Sequence, residues 1–228
     1  MEYDAKMLSR QLKEEKTGKK LGGKKPKPPE LNPLPGDQVN FTDEESRIMP
    51  VSGGGFEQCY NGQAIVDMSS MLIVGNYVSQ KPNDKQEIEP GLEELAKLPK
   101  SIGKAGKLAA DNGYFSESNA KKLADKEIEA YISSGRQSHN QSLEELFQEE
   151  PKAPENPNVV EAMRRRMKTE DGKKFYAKRK STVEPVFGII KEVIGFRRFM
   201  LRGLDAVTGE WNLVCIAFNL KRLCKLVG

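Results

Sequence analysis

Apolar and polar residues alternate in the central part of the chain, and this pattern predicts β-strands. In residues 56–67 (FEQCYNGQAIVD) apolar positions alternate with polar ones, whereas residues 71–79 (MLIVGNYVS) form a more continuous apolar run. A short polar connection joins them, so we predict a β-hairpin. Two further short strands are predicted at residues 107–111 (KLAAD), which end in an acid, and at residues 128–133 (IEAYIS).

Helical periodicity occupies much of the remaining chain. It predicts a short amphipathic helix over residues 1–15, and a helix over residues 84–98 with a break near Pro90. Ser116 or Ser118 is expected to cap a helix that runs to about Lys126.

From Val159 onward the pattern is helical throughout. In the last segment, apolar side chains recur at intervals of three or four residues, which predicts a buried stripe rather than a ligand site. The stripe consists of Leu204, Val207, Trp211, Val214 and Phe218. The order of strands and helices predicts a mixed α/β sheet with helices packed on it.

Two polar segments divide the chain. Residues 16–36 are rich in Lys, Pro and Gly, a composition that predicts a flexible tail rather than a packed core. Residues 136–158 are predicted to form a polar insertion loop with one or two helical turns. We therefore expect an N-terminal helix and basic linker in residues 1–37 and one domain in residues 38–228.

Composition excludes several classes of protein. Hydrophobic residues make up 37% and charged residues 31% of the chain, which is typical of a globular protein with polar segments. The sequence contains no run of about 18 apolar residues, so we expect no membrane span. The N-terminus lacks an apolar signal core, so we expect a cytoplasmic protein. Cys59, Cys215 and Cys224 have no metal-type spacing and are expected to be reduced thiols. His139 is the single histidine of the chain, so chemistry built on several histidines is excluded. It lies in a polar stretch and is expected in a solvated loop.

Charge is distributed unevenly although the net charge is only +4. Residues 159–228 contain sixteen Lys or Arg and seven Asp or Glu, whereas residues 41–158 contain twelve Lys or Arg and twenty Asp or Glu. A basic C-terminal third indicates either a polyanionic partner or a merely solvated charged face.

Three acids lie at places where they could carry chemistry. Asp43 precedes the predicted hairpin, Asp111 ends a predicted strand, and Glu184 is predicted to open a helix. Phosphodiester transfer requires carboxylates from separate elements to converge on hard divalent cations, which prefer oxygen ligands. Each acid also fits a structural role, because Asp43 lies in a turn-like segment, Asp111 precedes Asn-Gly, and Glu184 follows Ser181 at capping-box spacing.

Three segments in the same order resemble a known family. LAADNGYFSESNAKKL resembles the second-Asp motif of DDE transposases from bacterial insertion sequences, and the segment from KFYAKRKSTVEP to FNLKRL resembles their C-terminal block. FTDEESRIM followed by YNGQAIVD resembles the first-Asp region. The resemblance runs from about residue 38 to the C-terminus.

The resemblance implies a fold, a site and a reaction. The family's catalytic core is ribonuclease-H-like, and Asp43, Asp111 and Glu184 correspond to its catalytic, metal-binding triad. Asp67, at the end of the first hairpin strand, is the alternative first acid. Two Mg²⁺ or Mn²⁺ ions are implied as cofactors. They would activate water to cut the ends of the element, and then the freed 3′-hydroxyl to join them to target DNA.

The helix around Glu184 carries further candidates. In an α-helix Lys191 would lie on the same face as Glu184. Tyr176 and Arg179 resemble part of the family's Tyr-Arg-Glu-Lys signature. Alternatively, Tyr176 and Arg179 lie on a solvated face of the helix. Phosphate contacts position DNA, so the basic residues nearby predict a DNA-binding track. Its members are Lys178, Arg179, Lys180, Lys191, Arg197, Arg198 and Arg202.

Relatives normally begin with a helical region that recognises DNA ends, and we expect that region to be missing here. Two hypotheses follow: a transposase catalytic domain that cuts and joins double-stranded DNA, or a truncated, non-catalytic remnant that binds DNA or a full-length transposase. A homodimer and association with the nucleoid are expected by resemblance alone.

Overall fold

The computed structural model describes residues 2–18, 39–51, 53–134 and 158–228, together with residues 22, 25 and 28. Two compact units are distinguished, Met1–Val39 and Asn40–Gly228. The first contains helix α1 (Glu2–Thr17), as its amphipathic pattern predicted. The second contains the strands, the other helices and all of the acids considered above.

Six strands form three two-stranded sheets in the described part of the chain. Strands β1 (Arg47–Pro50) and β2 (Phe56–Cys59) are antiparallel, as are β3 (Asn61–Val66) and β4 (Ile73–Ser79). Strands β5 (Lys107–Ala110) and β6 (Glu129–Ile132) run parallel. The predicted hairpin is confirmed for β3 and β4, whereas residues 56–59 form β2 and pair with β1 instead. The strands of the described residues do not join into one sheet.

Five helices complete the second unit as described. They are α2 (Ile88–Ala96), α3 (Glu117–Asp125), α4 (Val159–Lys168), α5 (Glu170–Gly188) and α6 (Leu204–Val227). Helix α5 continues into a π-helical turn at Ile189–Val193, and short 3₁₀ turns occur at Asp84–Gln86, Lys100–Ile102 and Asn112–Tyr114. The result is a mixed α/β architecture, as the order of elements predicted.

Local capping chemistry explains where several helices begin. The Ser116 hydroxyl accepts the amide of Asn119, which confirms one of the two predicted caps of α3. Asn158 and Glu161 form a reciprocal capping box at the start of α4. The predicted break near Pro90 is confirmed, because a 3₁₀ turn ends at Gln86 and α2 begins at Ile88. Pro90 lies in the first turn of α2, where a backbone N–H has no intrahelical partner to lose.

Two apolar clusters hold these elements together. The first joins β4, the end of α5, the π-helical turn and α6 through Ile73, Val186, Ile190, Trp211 and Phe218 among others. The second joins α2, α3, β6 and α4 through Ile88, Leu123, Ala130, Ile132 and Met163. The predicted stripe on the last helix is buried at Val207, Trp211, Val214 and Phe218, which confirms it except at partly exposed Leu204.

Several predictions concern residues outside this description. Residues 136–157 of the predicted insertion loop, which include His139, and most of residues 16–36 lie outside the described residues. Cys59, Cys215 and Cys224 are described, and all three are free. No helix in the described ranges is both long and apolar enough to cross a membrane.

Two glycines provide opposite tests of the helix packing. A Cβ on Gly172 in α5 would lie 1.8 Å from the carbonyl oxygen of Arg166 in α4, whereas a Cβ on Gly209 in α6 would meet nothing within 4 Å. We expect Gly172→Ala to lower the free energy of unfolding by about 2 kcal/mol or more, because a backbone carbonyl must move. Gly209→Ala should raise it by about 0.5–1 kcal/mol, because alanine favours the helix. Urea unfolding measures both, and equal effects of the two substitutions would contradict the α4–α5 contact.

Candidate functional site

Asp111 lies directly after β5, at the carboxyl end of the parallel β5–β6 pair. Its extended backbone begins the 3₁₀ turn Asn112–Tyr114, and its side-chain Oδ1 accepts the amide of Gly113 at 2.9 Å. The residue is exposed, so its carboxylate is both fixed by a hydrogen bond and open to solvent. Asp111 therefore both follows the end of β5 and begins the turn after it.

Asp84 lies beside Asp111, although nothing in the sequence singled it out. A Cβ built on Gly113 would lie 3.0 Å from Asp111 Oδ1 and 3.2 Å from Asp84 Oδ2, so the two carboxylates flank one glycine. Asp84 Oδ1 accepts hydrogen bonds from Asn61 Nδ2 at 3.0 Å and from Gln63 Nε2 at 3.1 Å. Asp84 is therefore held by neutral amide donors directly beside the turn of Asp111.

The pKa of Tyr114 is influenced by the same two acids, Asp84 and Asp111. The Tyr114 hydroxyl donates to Gln63 Oε1 at 2.5 Å. Burial, and then the negative charges of Asp84 and Asp111, raise the pKa of Tyr114 well above its ordinary value. Tyr114 therefore remains a protonated hydrogen-bond donor at any physiological pH.

Asp43 is held at the start of α6. The Tyr60 hydroxyl donates to both of its carboxylate oxygens at 2.8 and 2.9 Å, and the amide of Gly203 donates to Oδ2 at 3.2 Å. Nearby, Glu45 Oε2 accepts the amide of Leu204 at 2.7 Å. Gly203 has no side chain to cap α6, so two acids from a distant loop cap the helix instead.

The surroundings of Asp43 favour its ionised form. Burial raises its pKa, but the hydrogen bonds from Tyr60, Gly203, Glu45 and Ser46 together outweigh burial, so that its pKa is lowered. The predicted turn role of Asp43 is confirmed, because its Oδ1 accepts the amide of Glu45 at 3.2 Å, and the same carboxylate also holds the start of a helix far along the chain. Tyr60 was not predicted, and the alternating strand pattern around it carried no signal of this contact.

Asp67 holds the turn of the β3–β4 hairpin. Its Oδ2 accepts the hydroxyls of Ser69 and Ser70 at 2.6 and 2.7 Å and the amide of Ser70 at 2.8 Å. The Ser69 hydrogen bond is the largest influence on its pKa and, with the others, lowers it despite burial. The choice between Asp43 and Asp67 as first catalytic acid stays a prediction.

Glu184 does not open a helix, and that prediction is wrong. It lies in the last part of α5, where Pro185 stays inside the helix and the Ser181 hydroxyl donates to the Lys178 carbonyl instead of capping. Glu184 is exposed, and its Oε1 lies 3.6 Å from an Nη of Arg179. The Arg179 guanidinium also lies 5.6 Å from the ring centre of Tyr176, so these three predicted residues are together.

Lys191 lies in the π-helical turn that follows α5. A π-helical turn inserts extra backbone into the helix, so the α-helical spacing that placed Lys191 on the face of Glu184 does not hold through this segment. Such turns recur at functional sites. Most of the predicted DNA-binding residues are exposed, with Arg179 half-buried and Arg197 paired with Glu192. The exposed ones are Lys178, Lys180, Lys191, Arg197, Arg198 and Arg202.

The predicted triad is distributed over three surroundings. Asp111 lies beside Asp84, Glu184 beside Arg179, and Asp43 at the start of α6. Among the described residues, no three or more His, Cys, Asp or Glu side chains are grouped closely enough to hold a metal ion. Asp84 could have been noticed only as an Asn-Asp turn after a strand, which is a common structural signal.

Comparison with known proteins identifies the C-terminal part of the chain. Residues 148–224, about a third of the sequence, match the family model of the transposase DDE domain. The matched segment includes Glu184, and it confirms the predicted resemblance to DDE transposases for the C-terminal block. The resemblance of the segments around Asp43 and Asp111 stays a prediction. No curated protein and no solved structure matches the chain.

The Asp43 cap predicts a pH dependence of stability. Its pKa in the folded protein lies below the ordinary value of 3.8, so its stabilising effect is complete above that value and is lost as the pH falls through the folded pKa. At pH 7, Asp43→Asn should lower the free energy of unfolding by about 1–2 kcal/mol. The difference from wild type should shrink as the pH falls below 3.8 in urea unfolding.

Glu44→Gln is the matched control for this prediction, because Glu44 is an exposed acid in the same loop. It should change stability little at any pH. A stability loss in Asp43→Asn that stays constant down to pH 2 would show that the carboxylate charge does not hold the start of α6.

Proposed function

We propose that this chain, whose residues 148–224 match the transposase DDE domain, cuts and joins DNA by metal-dependent phosphodiester chemistry. The observation that carries the proposal is this match, which contains Glu184 on a helix together with Tyr176 and Arg179. Hydrolysis at the ends of an insertion sequence, followed by strand transfer, is the reaction that such a domain performs.

Asp43, Asp111 and Glu184 are the proposed ligands of two Mg²⁺ or Mn²⁺ ions. The fit lies in the donor chemistry: all three are carboxylates, and Asp111 and Glu184 are exposed and able to accept a hard cation. When bound, such ions supply an activated oxygen nucleophile and stabilise the leaving oxygen. The Gly113 amide holds one oxygen of Asp111, and the Arg179 guanidinium lies near the carboxylate of Glu184.

The exposed lysines and arginines around α5 are proposed to bind the DNA backbone. Lys178 and Lys180 extend from α5, whereas Arg198 and Arg202 extend from the segment that follows the π-helical turn. Cations of this kind bind phosphates without reading bases, so they would position the strand rather than select a sequence.

A ribonuclease-H-like fold is proposed for Asn40–Gly228. The parallel β5–β6 pair with an acid directly after β5, and the antiparallel β3–β4 hairpin before it, support this assignment. In such a fold the three small sheets described here would be parts of one larger sheet.

A non-catalytic remnant that binds DNA or a full-length transposase is the second candidate. The observation that favours it is the distribution of the acids, since the described residues contain no group of three that could hold a metal ion. The exposed basic residues would serve this function equally well.

Pairing of two copies is proposed through the outer face of α6. Opposite its buried stripe, this helix exposes apolar side chains at alternating intervals of three and four residues, the spacing of a coiled-coil seam. They are Leu213, Ile216, Leu220, Leu223 and Val227, with 42–87% of each exposed. A second copy of the same helix presents the same spacing, so the seam is self-complementary.

Nicking of supercoiled plasmid tests the catalytic proposal. We expect the wild-type chain to nick in Mg²⁺ or Mn²⁺ but not in EDTA, and Glu184→Gln to lower the rate by about 100-fold or more, as loss of a metal ligand requires. Glu192→Gln is the matched control, because Glu192 is an exposed acid nearby that pairs with Arg197. Absence of nicking by a folded wild-type chain would favour the remnant, and full activity of Glu184→Gln would show that Glu184 is not a catalytic metal ligand.

Sedimentation velocity tests the pairing proposal. Leu220→Glu places a charge in the middle of the seam and should convert dimers to monomers at micromolar concentration. Lys221→Glu introduces the same side chain at an exposed neighbouring position outside the seam and should leave dimers intact. A wild-type chain that is monomeric throughout would rule out this interface.

A further inference from the structure

Two short turns that carry acids are fixed to each other by a buried amide. One is the 3₁₀ turn Asp84–Gln86 and the other is the turn Asn112–Tyr114 that follows Asp111. The side-chain amide of Asn119 donates to the carbonyls of Lys85 and Tyr114, both at 2.8 Å, and only 4% of Asn119 is exposed. This double contact sets the separation of the two turns.

Gln63 forms a second bridge between the same turns. Its Oε1 accepts the hydroxyl of Tyr114 at 2.5 Å, and its Nε2 donates to Asp84 Oδ1 at 3.1 Å. An amide has one accepting and one donating end, so the hydrogen bonds run in one direction, from Tyr114 through Gln63 to Asp84. Asn61 adds a further donor to the same oxygen of Asp84 at 3.0 Å.

The Asp84 side chain lies against Gly113. Its Oδ2 is 3.2 Å from the position that a Cβ on Gly113 would occupy, while the amide of Gly113 donates to Asp111 Oδ1. Two carboxylates this close repel each other, so Asp84 needs its donors to remain in place. Gln63 and Asn61 supply them without adding a positive charge.

On the basis of the function proposed above, we infer that Asp84 is a positioning residue for Asp111, held by Gln63 and Tyr114. By contact with Gly113 it keeps the glycine amide on one oxygen of Asp111 and so leaves the other oxygen free for a metal ion. Accepting two hydrogen bonds requires an oxygen atom at this position and not a negative charge. An asparagine at position 84 should therefore preserve the positioning of Asp111, whereas an alanine should not.

The first experiment compares two tyrosine variants by amide hydrogen exchange of Gly113, followed by NMR. Tyr114→Phe removes the donor to Gln63, whereas the control Tyr77→Phe removes an equivalent hydroxyl that donates to the Glu87 carbonyl at 2.7 Å. We expect Gly113 to exchange about fivefold faster or more in Tyr114→Phe and to be unchanged in Tyr77→Phe. Equal behaviour of the two variants would overturn the inference.

The second experiment compares Asp84→Ala with Asp84→Asn in metal-dependent plasmid nicking. We expect the alanine variant to lose about tenfold or more in kcat with KM for DNA unchanged, and the asparagine variant to stay within about threefold of wild type. An alanine variant at the wild-type rate, or an asparagine variant as slow as alanine, would overturn the inference. If the wild-type chain does not nick plasmid, the proposed function fails. Hydrogen exchange of the Gly113 amide then still tests whether Tyr114, Gln63 and Asp84 hold the turn of Asp111.

Discussion

The hydrogen bonds of Gln63 connect the hydrophobic core of this protein to its acidic residues. The Gln63 carbonyl accepts the indole Nε1 of Trp211 at 2.9 Å, and Trp211 is 3% exposed at the centre of the first apolar cluster. The side chain of Gln63 reaches Tyr114 and Asp84 on the other side of β3. Because a buried polar group must be paired, one residue fixes α6, β3 and the turn of Asp111 in relation to one another.

Charge at the start of α6 is the second constraint on this arrangement. Asp43 and Glu45 belong to the loop before β1, yet they accept the amides of Gly203 and Leu204. A helix N-terminus stabilises negative charge, so this contact favours ionised Asp43 and ties the first acid of the predicted triad to α6. Each oxygen of Asp43 already accepts two hydrogen bonds, so a metal ion would have to replace at least one of these donors.

Local chemistry could be predicted from this sequence, whereas contacts between distant segments could not. Ser116 as a cap, Asp111 at a strand end and the buried stripe around Trp211 follow from neighbouring residues and from periodicity. Glu184 was misplaced because Ser181 and Pro185 have the spacing of a helix start, and only the packing of α5 shows that the helix continues through them. Asp84 was missed because its significance comes from Gly113, 29 residues further along the chain.

The central claim is that the turn of Asp111 binds a divalent cation for DNA chemistry. It is tested most directly by titrating Mn²⁺ into the isotopically labelled protein and following amide signals by NMR, since a paramagnetic ion broadens only signals near it. We expect the signal of Gly113 to broaden early in the titration, and Asp111→Asn to abolish this selective broadening while the protein stays folded. Broadening that spares Gly113, or that is unchanged in Asp111→Asn, would contradict the claim.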